Sequence, residues 1–246
     1  MPSEMKTKDR LVVALDVDDA SLALGLVDEL KASVGMFKVG HQLFTAHGPD
    51  IVRKIRERGS KVFLDLKYHD IPHTVAKASA EAVKLGASIF NVHALGGFDM
   101  MRAAAEAARE TAGQLGVPVP AVLAVTVLTS MDEQCLRREL KISRSLPRTV
   151  RHLAELAERA GLHGVVASPQ EIALLRRAIG RQFIILTPGV RPAGSGKDDQ
   201  KRTMTPGEAV AAGADYIVVG RPVLGAVDRA SAVQGILDDI EGGTVR

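Results

Sequence analysis

Residues 61–74, KVFLDLKYHDIPHT, decide how the chain is read. The apolar run Val62-Phe63-Leu64 has the character of a strand buried on both faces. Such a strand delivers Asp65 and Lys67 together, because side chains at i and i+2 point to the same side. Asp70 follows in a turn, since Ile71, which precedes Pro72, is steered away from helix. Two carboxylates and an ammonium so close together at the carboxyl end of a strand are costly to bury unless paired, which is the profile of a site. The plainer alternative is a solvated ion pair at a strand end. In that alternative an N-cap follows, Thr74 capping a helix that runs through Val75, Ala78, Ala82, Val83 and Leu85.

Outward from this stretch, short apolar runs alternate with helical periodicity. Upstream, strands are predicted at 11–15 and 36–39, with helices over 21–30 and 49–58, the second stopped by Gly59. Downstream, strands are predicted at 88–92, 119–128, 164–167, 183–186 and 216–219. Alanine-rich and amphipathic helices lie between them, including 146–160 and one opened by Ser168-Pro169. Residues 132–145 are polar and poorly periodic, and the tail after Glu241 is expected to fray. Eight strand–helix alternations at roughly 25–30-residue spacing, with no linker, predict one (β/α)8 TIM barrel, a single domain over residues 1–246.

Barrel chemistry sits at the carboxyl ends of the strands, and a phosphate site is often built from the loops after strands seven and eight. Asp16, Lys38, Asp65, Lys67, His93 and Thr129 fall in or just past strands one to five. Arg191 and Arg221 follow strands seven and eight, where a guanidinium can pair two phosphate oxygens. Gly189, Gly194, Ser195 and Gly196, with Lys197 and Gln200 beyond, read as a lid that closes over a phosphate.

Composition narrows the function classes. The chain has 246 residues, 46% hydrophobic and 25% charged, which is ordinary globular usage. The lone Cys135 excludes a disulfide framework, and the N-terminus has no apolar segment of the secretory kind. No run reaches membrane-spanning length, so a cytoplasmic protein is expected. A formal charge of +3 scattered along helices, with only 3% aromatic residues, argues against a nucleic-acid partner. His69 and His73 lack a third ligand at metal-site spacing, and His93 reads as a strand-end hydrogen bonder.

DLKYHDIPHT closely resembles the signature of the orotidine 5′-phosphate decarboxylase family, D-x-K-x-x-D-I-P-x-T. LDVDD at Leu15, FKVG at Phe37, NVHALGG at Asn91, VTVLTS at Val125, TPGVRP at Thr187, DDQKR at Asp198 and GRPV at Gly220 are similar to that family's blocks, in its order. The resemblance implies decarboxylation of orotidine 5′-monophosphate to uridine 5′-monophosphate, the last step of de novo pyrimidine biosynthesis, with no metal and no organic cofactor. It implies that Lys67 is the proton donor, in a charged network with Asp65, Asp70 and Lys38. Asp16, Lys38 and Thr74 would hold the ribose hydroxyls, Thr129 the pyrimidine edge, and Gln200 would bridge base and phosphate. Arg221, the Gly220 N–H and Arg191 would bind the phosphate. It implies a homodimer with shared sites, Asp70, Ile71 and Thr74 reaching into the neighbouring subunit. His73 stands where Asn is frequent. Two alternatives stay open: a metal-dependent sugar-phosphate decarboxylase or aldolase whose carboxylates hold Mg²⁺, and a catalytically silent phosphate-binding barrel.

Overall fold

A computed structural model of the chain describes residues 5–192 and 204–244. Its eight strands are β1 (Leu11–Ala14), β2 (Met36–Gly40), β3 (Val62–Tyr68), β4 (Ile89–His93), β5 (Ala121–Val125), β6 (Gly164–Val166), β7 (Ile184–Pro188) and β8 (Tyr216–Val219). They pair in sequence order as a closed parallel barrel, and β8 returns to β1 through Leu11↔Ile217 and Val13↔Val219. Parallel neighbours require a crossover, and helices on the outside supply it. The (β/α)8 expectation is therefore met.

Alternation along each strand divides the apolar residues into two layers. Val12, Met36, Phe63, Ile89, Leu123, Val166, Leu186 and Val218 fill the barrel interior. Leu11, Val13, Phe37, Leu64, Phe90, Ile185 and Ile217 face outward and pack under the helices. Strands buried on both faces explain why they read as continuous apolar runs. Each fully buried Leu, Val or Phe contributes about 1.5–3 kcal/mol relative to exposure. The amino-terminal part of the interior is filled by these apolar side chains, and the charged groups lie further toward the carboxyl ends of the strands.

Local departures from expectation have local causes. The helix after β3 is Pro72–Lys84 and begins at the proline: Pro72 takes the first helical position, Ile71 is the flanking residue, and no side chain caps it. Thr74 therefore lies inside the first turn instead of capping it. β5 is shorter than 119–128, because Pro118 and Pro120 bring no N–H to a ladder, and pairing starts with Ala121. Residues 132–145 contain a short helix, Glu133–Arg138, whose N-cap Asp132 accepts from the Cys135 N–H at 2.9 Å. The final helix runs over Arg229–Thr244 and does not fray at Glu241. There Gly243 packs on the backbone of Gly207, and a Cβ built on it would lie 2.5 Å from the Gly207 carbonyl oxygen. No helix among the described residues is long and apolar enough to cross a membrane.

Candidate active site

At the carboxyl end of the barrel four side chains from three adjacent strands form one chain of charge. Asp65 and Lys67, on β3, face inward as their i, i+2 spacing requires, and Lys67 Nζ lies 2.8 Å from Asp65 Oδ1. Lys38, from β2, lies 3.4 Å from Asp65 Oδ2 and 2.9 Å from Oδ1 of Asp16, just beyond β1. The cluster is alternately signed, Asp16–Lys38–Asp65–Lys67. Only 11%, 13% and 29% of the Lys38, Asp65 and Lys67 side chains remain exposed, against 54% for Asp16. The inner three are thus shielded from water, where unpaired charge would be costly.

Burial pushes the Asp65 carboxyl upward, but the positive charges of Lys38 and Lys67 and hydrogen bonds from Lys67 and Asn91 outweigh it. The group sits below the ordinary carboxylate value and stays ionised. Opposite charges at these separations gain roughly 5 kcal/mol each before desolvation, at an effective dielectric near 20.

Close approach of backbone makes room for the cluster. A Cβ on Gly40 would lie 2.8 Å from Lys38 Nζ, and one on Gly220 would lie 3.4 Å from Asp16 Oδ2. Glycine at the end of β2 lets the Lys38 ammonium lie against the chain, while the spacing at Gly220 is ordinary van der Waals contact. The Gly220 contact also brings the end of β8 beside the end of β1.

The cluster faces a cavity of about 200 Å³. Lys38, Asp65 and Lys67 form its polar side, while Phe63, Val125, Val166, Leu186 and Val218 supply an apolar floor and wall, and Thr129 lies on its lining. An apolar pocket with a few convergent charges orients a ligand and strengthens each electrostatic contact.

The structure brings Asp16, Lys38, Asp65, Lys67 and Thr129 together. It places Arg191 beyond β7 and Arg221 beyond β8, on neighbouring paired strands at this same end. Asp70, Ile71 and Thr74 do not join the cluster within the chain: all three are exposed on the rim, Ile71 by 66%, and the Asp70 carboxylate accepts from the Ile71 N–H at 2.6 Å. Gln200, and with it Gly194, Ser195, Gly196 and Lys197 of the expected lid, lie outside the described residues. His93 ends β4, and its Nδ1 accepts from the Leu95 N–H at 3.4 Å. Its ring stacks on that of His69, centroids 5.4 Å apart. Burial, then the neighbouring His69 and Lys67, holds the His93 imidazole below its ordinary value of 6.5.

Sequence reasoning passed over two residues. Gly40 could have been found only by knowing that an ammonium folds against it. Asn91 carried a signal, being a lone amide at an inward-facing position of an apolar strand. Among the described residues no three His, Cys, Asp or Glu side chains converge as a metal site.

A closed (β/α)8 barrel with an alternating ammonium–carboxylate cluster facing a cavity at the carboxyl ends of its strands has the architecture of a barrel enzyme. Residues 9–236 match the Orotidine 5'-phosphate decarboxylase / HUMPS family, and the chain belongs to it. The sequence is 53% identical over 237 residues to an orotidine 5'-phosphate decarboxylase of Moorella thermoacetica, covering 96% of this chain and 94% of that one. It is 54% identical over 238 residues to that of Syntrophotalea carbinolica, covering 96% of each. Among solved structures, the orotidine 5'-phosphate decarboxylase of Lactobacillus acidophilus superposes with a TM-score of 0.81 at 37% identity, covering 94% of this chain and 98% of that one.

Proposed function

We propose that this chain decarboxylates orotidine 5′-monophosphate to uridine 5′-monophosphate in pyrimidine biosynthesis, with Lys67 as the proton donor. The observation that carries the reading is the Lys67 ammonium held 2.8 Å from Asp65 at the edge of an apolar cavity. When the bond from C6 to the carboxylate breaks, CO2 leaves and the electron pair stays on C6, in the ring plane, where no π-system spreads it. A fixed positive charge must stabilise it. Lys67 supplies that charge and then transfers its proton to C6, and solvent returns a proton to the lysine. The donor is pre-positioned because Asp65 is itself anchored from its other side by Lys38.

In this reading Asp16 and Lys38 hold ribose hydroxyls, and Thr129 meets the pyrimidine edge. Arg221, the Gly220 N–H and Arg191 would bind the phosphate, with Gln200 bridging phosphate and base. Binding energy gathered at the phosphate, remote from C6, can be used to orient the ring. Asp70, Ile71 and Thr74 are read as contributions to a partner subunit's site in a cytoplasmic homodimer. Their exposure at the rim leaves all three accessible to a second subunit.

The test is the ultraviolet absorbance change on adding orotidine 5′-monophosphate to the purified protein, with and without excess EDTA. Conversion to uridine 5′-monophosphate unaffected by EDTA is expected. No conversion, or conversion abolished by chelator, would transfer Asp65 and Asp70 to a metal-dependent sugar-phosphate reaction.

A further inference from the structure

We infer that Asn91 is a positioning residue that fixes both Asp65 and the backbone of Lys67 in reactive geometry, an inference that rests on the decarboxylase reading. Asn91 lies in β4 and is completely buried. Its Nδ2 donates to Asp65 Oδ1 at 2.7 Å, and its Oδ1 accepts from the Lys67 backbone N–H at 2.8 Å. One amide thus grips the two residues on which the chemistry depends, from a strand neither belongs to.

The need for such a grip is visible in the sheet. Leu64 pairs with Phe90 and Tyr68 with Val92, so β3 advances four residues while β4 advances two. Three residues of β3, Asp65, Leu66 and Lys67, span the stretch that Asn91 alone spans on β4, and the ladder between these points is interrupted. Within that interruption Lys67 has φ +46°, a left-handed conformation that strains any residue but glycine. Its N–H would be unpartnered there, and the Asn91 carbonyl oxygen takes the place of the missing strand. The other half of the amide orients Asp65, so that Oδ1 meets Lys67 and Oδ2 meets Lys38. A strained lysine and an oriented carboxylate are therefore held by the same side chain, and loss of either bond loosens the proton donor relative to C6.

The test uses Asn91→Ala and the isosteric Asn91→Asp in the full-length enzyme, with uridine 5′-monophosphate as a binding probe. Misplacement of a reacting group by about 1 Å costs about 100-fold. Asn91→Ala should therefore lower kcat by about that factor, while KM and affinity for uridine 5′-monophosphate stay within about threefold. In Asn91→Asp the introduced carboxyl still accepts from the Lys67 N–H, but it can donate to Asp65 only while it carries a proton. Its activity relative to wild type should rise as pH falls. A crystal structure of either variant should show Lys67 leaving positive φ or Lys67 Nζ moving off Asp65. Wild-type kcat in both variants overturns the inference, as does an equal kcat loss in both with no pH dependence and Lys67 still at positive φ. If wild type does not convert orotidine 5′-monophosphate, the decarboxylase reading falls. The crystal structures then decide the positioning claim by themselves, retention of the Lys67 conformation in Asn91→Ala overturning it.

Discussion

Asp65→Asn is the change that most directly tests whether the charged cluster orients the proton donor. The side chains are isosteric, so the substitution alters charge and donor pattern with little change in volume. Asp65 Oδ1 accepts from Lys67 Nζ at 2.8 Å and Asn91 Nδ2 at 2.7 Å, and Oδ2 faces Lys38 Nζ at 3.4 Å. Whichever way the new amide is turned, its NH2 meets a donor: Lys67 and Asn91 on one side, Lys38 on the other. Two ammoniums and two carboxylates in the cluster sum to zero, and the substitution leaves it at +1. Charge-assisted hydrogen bonds contribute about 1.5–3 kcal/mol each, so weakening two of them releases about 3–6 kcal/mol of orientation. If that is lost from the transition state, kcat/KM should fall by about 10²–10⁴-fold, at 1.36 kcal/mol per tenfold. The assay is the absorbance change on conversion of orotidine 5′-monophosphate, with circular dichroism and binding of uridine 5′-monophosphate as controls for folding. A folded Asp65→Asn protein with kcat/KM within threefold of wild type would refute the orienting role.

Arg221→Ala should lower kcat/KM strongly and leave the thermal midpoint nearly unchanged, since Arg221 is exposed beyond β8; kinetics equal to wild type would remove it from the phosphate site. Lys67→Ala and Asp70→Ala, each inactive alone, should recover activity when their subunits are exchanged, because a hybrid dimer contains one site with both residues intact. No recovery after verified exchange would argue against the shared site. Gly40→Ala should displace the Lys38 ammonium, the flexible group nearest the new Cβ, and cost about tenfold or more in kcat/KM without unfolding the barrel. His93, held below 6.5 in the fold by burial and by its neighbours His69 and Lys67, takes up its proton later on acidification than the unfolded chain does. Stability should therefore fall from pH 7 towards pH 5.5, and urea titrations of His93→Gln should show a shallower fall.

The barrel was legible because each strand is a short apolar run and each helix an amphipathic one, and eight such alternations without a linker suit a parallel sheet closed on itself. The inward-facing members of the site followed from the same alternation: once Val62-Phe63-Leu64 is a buried strand, Asp65 and Lys67 must leave it together. What escaped was decided by single contacts. Pro72 outcompeted Thr74 for the helix start because its fixed φ suits the first helical position. The Glu133–Arg138 helix buries only Leu136, too little to imprint a period. Glycine at 243 reads as a terminus, but it serves a helix pressed against Gly207. The left-handed Lys67 had no signal in its local sequence, and the amide that accepts its N–H lies 24 residues away.

Closure of the barrel by β1 against β8 has a temporal consequence. Leu11 and Ile217 are partners, so their contact spans nearly the whole chain and is among the slowest kinds to form. During synthesis at about 5–20 residues per second, the first strand waits on the order of ten seconds or more for its second neighbour to emerge. Until then β1 has an open edge of the sort that invites wrong pairing. The contact of Gly220 with Asp16 is subject to the same delay, so the end of the site that joins the first strand to the last is completed only when the sheet becomes a cylinder. A ribosome-stalled chain ending before β8 would be expected to carry Asp65 and Lys67 on their strand and yet to bind no nucleotide.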